Sequence, residues 1–165
     1  MSAVIGLGIL SVAVAALGVG VSAQSTAPEP LRNKATIAGA LAAWRDGTGS
    51  PYDLLADDAV WTIVGRSLAS KTYDSREAFM RDVIRPFNAR MSSGLRPEVR
   101  HLYADGDTVV ALFDARGVAR DGKPYENTYA WFLTMQNGRI VRAVAFFDSV
   151  AFNDLWTRVS ADEPK

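Results

Sequence analysis

The sequence contains no cysteine and one histidine, His101. Without cysteine the chain forms no disulfide and offers no thiolate nucleophile or thiolate metal ligand. Zinc and non-haem iron sites normally use two or three imidazoles with carboxylate help, so one histidine argues against a transition metal. We therefore expect no metal and no cofactor, and we expect His101 at a strand edge and not as an acid or base.

The chain also lacks net charge, because 18 Lys and Arg residues balance 18 Asp and Glu residues. No overall field favours nucleic acid or an anionic membrane surface, and both are excluded as partners on this ground. A hydrophobic content of 48% with 22% charged residues is typical of a globular protein, and 165 residues suit one folded domain.

Charged residues are missing from one long stretch, Ala3 to Val21, which is rich in Ala, Val, Leu, Ile and Gly. Small residues at 21–23 and a polar, proline-containing stretch at 24–30 are typical of a signal peptide cleaved after Ala23 and followed by a linker. No Lys or Arg precedes the run, and its 19 residues could also span a bilayer as an uncleaved anchor. Either reading predicts a periplasmic or secreted domain over residues 31–159, with a disordered tail over residues 160–165.

Helical patterns occupy the first half of the remaining chain. Residues 31–45 carry apolar side chains near helical spacing and precede Gly47, a common stop signal. The Ser50-Pro51 pair predicts an N-cap and first-turn proline of a short helix that ends at Asp57-Asp58. Residues 59–64 are β-branched and aromatic and predict a strand.

Two further helices are indicated by capping signals. Asp74 and Glu77 have the spacing of a capping box and open an apolar helical face, which Pro86 should kink or end. Asp148 or Ser149 is expected to cap a last helix that closes one end of the sheet.

The second half has the pattern of a meander. Asp105-Gly106, Asp121-Gly122 and Asn137-Gly138 are hairpin-type turn pairs sixteen residues apart. They predict four antiparallel strands, at 97–104, 108–119, 123–135 and 139–147. Long strands in a small domain must twist and curl. The expected fold is α+β, a curved antiparallel sheet wrapped by helices into a cone with a central pocket, or cystatin-like α+β roll.

This order of elements resembles the nuclear transport factor two-like superfamily, which includes ketosteroid isomerase, and in particular its SnoaL-like branch. The runs that carry the resemblance are LADDAVW at 55–61, YENTYAW at 125–131, NGRI at 137–140 and FFD at 146–148. The similarity covers residues 31–159 and implies the cone fold and a homodimer. It does not fix the activity, since this fold hosts several enzymes and proteins without chemistry.

Known sites of the superfamily match this chain only in part. The general base of ketosteroid isomerases corresponds to Ile63, their acidic oxyanion donor to Ala130, and their helix tyrosine has no counterpart near Gly39. Steroid isomerisation by those groups is therefore excluded. The Asp-Arg-Asp set of limonene epoxide hydrolases corresponds to Asp114, Leu112 and Ala145, so one carboxylate remains.

Asp114 is the main catalytic candidate, because it interrupts an apolar strand where a carboxylate needs partners or becomes protonated. Alternation places it on one face with Val110, Leu112 and Arg116, and the register of the family implies that this face lines the cavity. The alternative is an ion pair of Asp114 and Arg116, or a cross-strand pair, on a solvated face.

Asn127 and Tyr129 are the other candidate catalytic residues, since both could reach a ligand oxygen from the next strand. The alternative for aromatic strand residues is simple packing. The expected pocket walls are Trp61, Ile63, Leu112, Arg116, Trp131, Phe147 and Phe152.

Three functions remain open from the sequence. The first is acid/base chemistry by Asp114 on an apolar cyclic or carbonyl substrate, as in an isomerase, cyclase or hydrolase, with Asn127 and Tyr129 polarising an oxygen. The second is a non-catalytic ligand-binding or dimerisation module of the cell envelope. The third is an accessory role beside a membrane to which the N-terminus stays anchored.

Overall fold

The computed structural model describes residues 27–161. The predicted signal peptide or anchor, the first three residues of the predicted linker, and the end of the predicted tail lie outside the described residues. Within residues 27–161, no helix combines the length and apolarity needed to cross a bilayer.

The first helix, α1 (Glu29–Asp46), starts within the segment predicted as a linker. Pro30 is compatible with this start, because N–H groups in the first turn of a helix have no intrahelical acceptor and the missing N–H of proline therefore costs no hydrogen bond. The helix buries Asn33, Ile37 and Leu41 and ends at Gly47, whose φ of 73° is the left-handed conformation that the predicted stop requires.

A single 3₁₀ turn, Pro51–Leu54, replaces the predicted short helix. The Ser50 hydroxyl accepts a bond from the Tyr52 N–H, and the Ser50 N–H donates to the Asp53 carboxylate. Strand β1 (Leu55–Ile63) then begins earlier than predicted. The Asp57-Asp58 pair does not end the turn but lies in an irregular, exposed part of β1, where the pairing register shifts.

The short strand β2 (Thr72–Tyr73) leads into a helical segment of three parts, α2 (Arg76–Phe79), a π-helical turn (Met80–Ile84) and α3 (Arg85–Ala89). The predicted capping box is wrong, since Ser75 is the N-cap and Glu77 pairs with Arg85. The irregular turn immediately precedes Pro86, as expected of a proline that lacks an N–H and crowds the preceding turn.

The meander is close to its prediction. Its strands are β3 (Arg96–Asp105), β4 (Thr108–Val118), β5 (Pro124–Gln136) and β6 (Arg139–Phe147), and α4 (Ser149–Arg158) follows. Positive φ angles at Gly106, Gly122 and Gly138 mark the three turns. Asp148 caps α4 by accepting a bond from the Val150 N–H.

The sheet has the order β2-β1-β6-β5-β4-β3. Its strand pairs are antiparallel except β1 with β6, which run parallel. On the inner face of β4 lie Val109, Ala111, Phe113 and Ala115, all buried, and odd-numbered residues of β5 lie opposite them. The helices cover this inner face, and the even-numbered residues of both strands face outward.

Candidate functional site

A cavity of about 270 Å³ lies between the inner face of the sheet and the helices. None of the Asp, Glu, His, Lys and Arg residues within residues 27–161 lines it. Small-molecule pockets usually span about 300–1,000 Å³ and are mostly apolar, so this cavity suits a small ligand. The residues that line it are Trp44, Ser50, Tyr52, Trp61, Ile63, Phe79, Val83, Ile84, Phe87, Asn88, Leu95, Tyr129, Trp131, Ala145, Phe147 and Phe152.

Aromatic rings from separate elements form most of the wall. Trp61 on β1 stacks on Phe79 of α2 with ring centroids 4.4 Å apart, and it meets Trp131 of β5 edge-on at 5.1 Å. Trp131 also stacks with Trp44 of α1, with ring centroids 6.0 Å apart. Because these rings are held by one another and by regular elements, the wall is pre-formed and suits a flat apolar molecule.

A buried chain of polar groups reaches the cavity from the end near α4. The Asn127 amide donates to the Asp148 carbonyl at 3.0 Å and accepts from the Asp148 N–H at 2.9 Å. The same amide nitrogen donates to the Tyr125 hydroxyl at 2.9 Å. The Tyr125 and Tyr129 hydroxyls are 3.1 Å apart. Tyr129 is the member of this group that lines the cavity.

The phenols of the site are held in their neutral form. Burial raises the pKa of the Tyr52 and Tyr125 hydroxyls above the usual value. Burial, followed by the neighbouring Tyr125, raises the pKa of Tyr129 well above it. At neutral pH these groups are therefore hydrogen-bond donors and not phenolates.

The indole N–H of Trp61 is buried and has no hydrogen-bond partner among residues 27–161. Buried polar groups normally have a partner, so an unmatched donor in a pocket wall is a notable exception.

Asp114 does not line the cavity, contrary to the sequence prediction. Its carboxylate is on the outer face of the sheet and accepts bonds from the Thr128 hydroxyl and the Arg100 guanidinium, both at 2.6 Å. Its side chain is 24% exposed. The Thr128 hydrogen bond, followed by the bonds and charge of Arg100, holds the pKa of Asp114 below its usual value. The carboxylate is ionised and occupied by partners, which is the alternative that the sequence left open.

Leu112 and Arg116 are on the same outer face, so their predicted position in the pocket wall is wrong as well. Arg116 bonds Glu98 and not Asp114. An outer groove of about 410 Å³ runs beside these charges. Its two arginines are more than half exposed and pair with Asp114 and Glu98, which is typical of a solvated surface.

Most of the remaining predicted wall residues do line the cavity, namely Trp61, Ile63, Trp131, Phe147, Phe152 and the candidate catalytic residue Tyr129. Asn127 adjoins the cavity through Tyr125 and is not itself part of the wall. Whether these residues bind a ligand stays a prediction.

The sequence did not identify several site residues, including Tyr125, Tyr52 and Trp44. Alternation from Tyr129 would have placed Tyr125 on the same face of β5. Phe79, Val83 and Phe87 lie on the apolar face of the predicted helix after Asp74, and a helical pattern alone does not separate pocket wall from core. Tyr52 lies in a 3₁₀ turn, where no periodicity indicates which side chain points inward.

Comparison with known proteins gives a consistent result. Wild-type IdmH from Streptomyces antibioticus, a proposed polyketide cyclase, is 25% identical with a TM-score of 0.58, covering 75% of this chain and 97% of IdmH. A proposed isomerase from Bacillus subtilis is 20% identical with a TM-score of 0.61, covering 82% and 100%. An NTF2-like protein from Burkholderia thailandensis is 24% identical with a TM-score of 0.61, covering 74% and 95%.

No curated protein sequence matches the chain. The family model of the SnoaL-like domain matches residues 27–143, which is most of the chain and spans α1 to the middle of β6. Together with the NTF2-like architecture of the structural neighbours, this confirms the resemblance inferred from the sequence. The chain belongs to the SnoaL-like domain family.

Proposed function

We propose that this protein binds a small, flat, mostly apolar cyclic molecule in its inner cavity, as a SnoaL-like protein of the isomerase or cyclase type. The observation that carries the proposal is the uncharged cavity of about 270 Å³, walled by stacked aromatic rings and entered by a phenol hydroxyl. The similarity to IdmH, at 25% identity, supports a cyclic ligand.

Chemistry in this cavity would rely on neutral donors. The Tyr129 hydroxyl can polarise a ligand carbonyl, because a donor in a low-dielectric site stabilises charge that develops on an oxygen. Among the lining residues described, no carboxylate or imidazole is available as a general base. This favours enclosure and polarisation of a reactive ligand over proton abstraction by Asp114.

The second candidate function is non-catalytic binding of the same class of ligand. It is favoured by the same lack of an acid/base pair in the wall. The two functions share the ligand site and differ in turnover, so conversion of a bound ligand would favour the first.

The binding proposal is tested with 1-tetralone, a flat bicyclic ketone, by isothermal calorimetry. Ala145 lines the cavity, and Ala145→Leu should fill part of it and weaken binding by about tenfold or more. Val144→Leu enlarges the neighbouring outward-facing residue and is the matched control. Equal affinity of both variants and the parent protein would show that the ligand binds elsewhere.

We also propose that the protein is exported and acts in the periplasm or outside the cell. The support is the uncharged apolar stretch from Ala3 to Val21 with small residues before a polar segment. An uncleaved anchor is the alternative outcome.

We further propose that the protein forms a homodimer through the outer face of the sheet. Four exposed apolar residues lie on that face, Tyr103, Val118, Phe132 and Phe146. Beside them the paired charges of Arg100 with Asp114 and of Arg116 with Glu98 alternate in sign, so a second copy can match them.

A further inference from the structure

The direction of the hydrogen bonds in the buried polar chain is fixed by its first member. The backbone N–H of Asp148 can only donate, so the Asn127 atom 2.9 Å from it must be the amide oxygen. The amide nitrogen then faces the Asp148 carbonyl and the Tyr125 hydroxyl. An amide nitrogen can only donate, and the Tyr125 oxygen is therefore an acceptor in this contact.

Tyr125 must consequently direct its own proton elsewhere. Its side chain is buried and does not line the cavity, and the Tyr129 hydroxyl at 3.1 Å is the other partner in reach among the described residues. A buried hydroxyl proton without an acceptor is destabilising, so Tyr125 donates to the Tyr129 oxygen. The Tyr129 oxygen is then an acceptor toward Tyr125.

The hydroxyl proton of Tyr129 has no acceptor among Asn127 and Tyr125 and therefore points away from them. Tyr129 is the only member of the three that lines the cavity, and its raised pKa keeps it protonated. We infer that Asn127 and Tyr125 are positioning residues that orient the Tyr129 hydroxyl as a donor into the cavity, so that the site selects flat apolar molecules bearing an acceptor oxygen. Ketones and quinones belong to this class, whereas hydrocarbons of the same shape leave the donor unmatched.

A donor left without an acceptor penalises a bound ligand that lacks an acceptor oxygen, which is how pockets with few polar groups obtain specificity. The inference rests on the proposed function and deepens it by naming the ligand class and the residues that choose it.

The test compares 1-tetralone with tetralin, which has the same bicyclic frame without the carbonyl. Tyr129→Phe should weaken 1-tetralone binding by roughly three- to tenfold, the value of one neutral hydrogen bond, and leave tetralin within about twofold. Tyr73→Phe is the matched control, because Tyr73 is also buried, does not line the cavity and donates to the Ala69 carbonyl. It should change neither affinity.

Asn127→Asp tests the positioning role separately from the Tyr129 hydroxyl. The oxygen that replaces the amide nitrogen carries at most one proton, and the Asp148 carbonyl 3.0 Å away takes it, so toward Tyr125 this oxygen can only accept. Tyr125 would donate to it, and Tyr129 would in turn donate to Tyr125. The donor toward the cavity is then lost although every tyrosine remains. We expect the same roughly three- to tenfold loss for 1-tetralone, with tetralin again unchanged.

The possible outcomes separate the inference from the proposed function. If 1-tetralone binds and both variants retain its affinity, Asn127 and Tyr125 do not orient the Tyr129 hydroxyl, and the binding proposal stands. If neither probe binds the parent protein, the binding proposal is contradicted. The direction of the hydrogen bond between Tyr125 and Tyr129 is then tested without ligand by NMR. The Tyr125 hydroxyl proton should show cross-peaks to the Tyr129 ring. A Tyr129 hydroxyl proton directed at Tyr125 would overturn it.

Discussion

Asp114 shows how a residue that looks catalytic in the sequence can be structural. Its apolar neighbours along β4 suggested a buried carboxylate with a raised pKa. In the structure those neighbours alternate between two faces, and Asp114 shares the outer one with donors from two adjacent strands. Arg100 can pair with Asp114 because it lies at a bulge in β3, between Val99 and His101. No hydrophobic pattern in the sequence indicates this bulge.

Asp114→Asn is therefore expected to cost little stability. A partly exposed ion pair contributes roughly 0–1 kcal/mol, and we expect a loss in the free energy of unfolding of about 1 kcal/mol or less in urea at pH 7. Because the pKa of Asp114 is lowered on folding, its contribution is present above the ordinary value of 3.8 and is lost as pH falls through the folded pKa.

The same urea experiment at pH 3 to 4 should show a smaller difference between Asp114→Asn and the parent protein. A difference that grows as the pH falls would mean that the carboxylate is protonated on folding. That result would identify Asp114 as a buried acid.

At the scale of the elements, one turn fixes which face of β4 lies beside the face of β5 that carries Tyr129. A two-residue turn at Asp121-Gly122 would place Asp114 opposite Tyr129, so that both would face inward. The observed pairing of Val118 with Pro124 leaves five residues in the turn, and Tyr129 lies opposite Phe113. A one-residue change of register moves every side chain of a strand to the other face.

The fold was largely predictable because its signals are local. Turn glycines, a left-handed stop at Gly47 and long alternating strands are each encoded within a few residues. The parallel pairing of β1 with β6 and the short strand β2 depend on distant partners, and the sequence did not indicate them. The candidate site was predicted less well, because its lining comes from all four helices, from three strands and from the turns between them.

The outer sheet face carries a prediction about assembly. Phe132 and Phe146 pair edge-on with centroids 5.9 Å apart and are 41% and 43% exposed. If a second copy covers them, Phe132→Lys with Phe146→Lys should convert a dimer into a folded monomer in sedimentation velocity. Val150→Lys, on exposed α4, is the control for added charge. A monomeric parent protein at all concentrations tested would contradict the homodimer.

At the scale of the whole molecule, we propose ligand binding for the folded domain and export for the N-terminal stretch. The described domain encloses its own cavity, and the uncharged stretch before it is expected to serve export. N-terminal sequencing of the protein recovered from outside the cytoplasm should begin at Gln24. A chain that begins before Ala3 and fractionates with membranes would instead show an anchor.

The whole account depends on the ligand entering the inner cavity and not the outer groove beside Asp114. The most direct measurement is the dissociation constant of 1-tetralone for Ala145→Leu and Asp114→Asn, determined side by side on proteins of confirmed fold. The account predicts that Ala145→Leu loses binding while Asp114→Asn keeps the affinity of the parent protein. Retained binding in Ala145→Leu with loss in Asp114→Asn would contradict it.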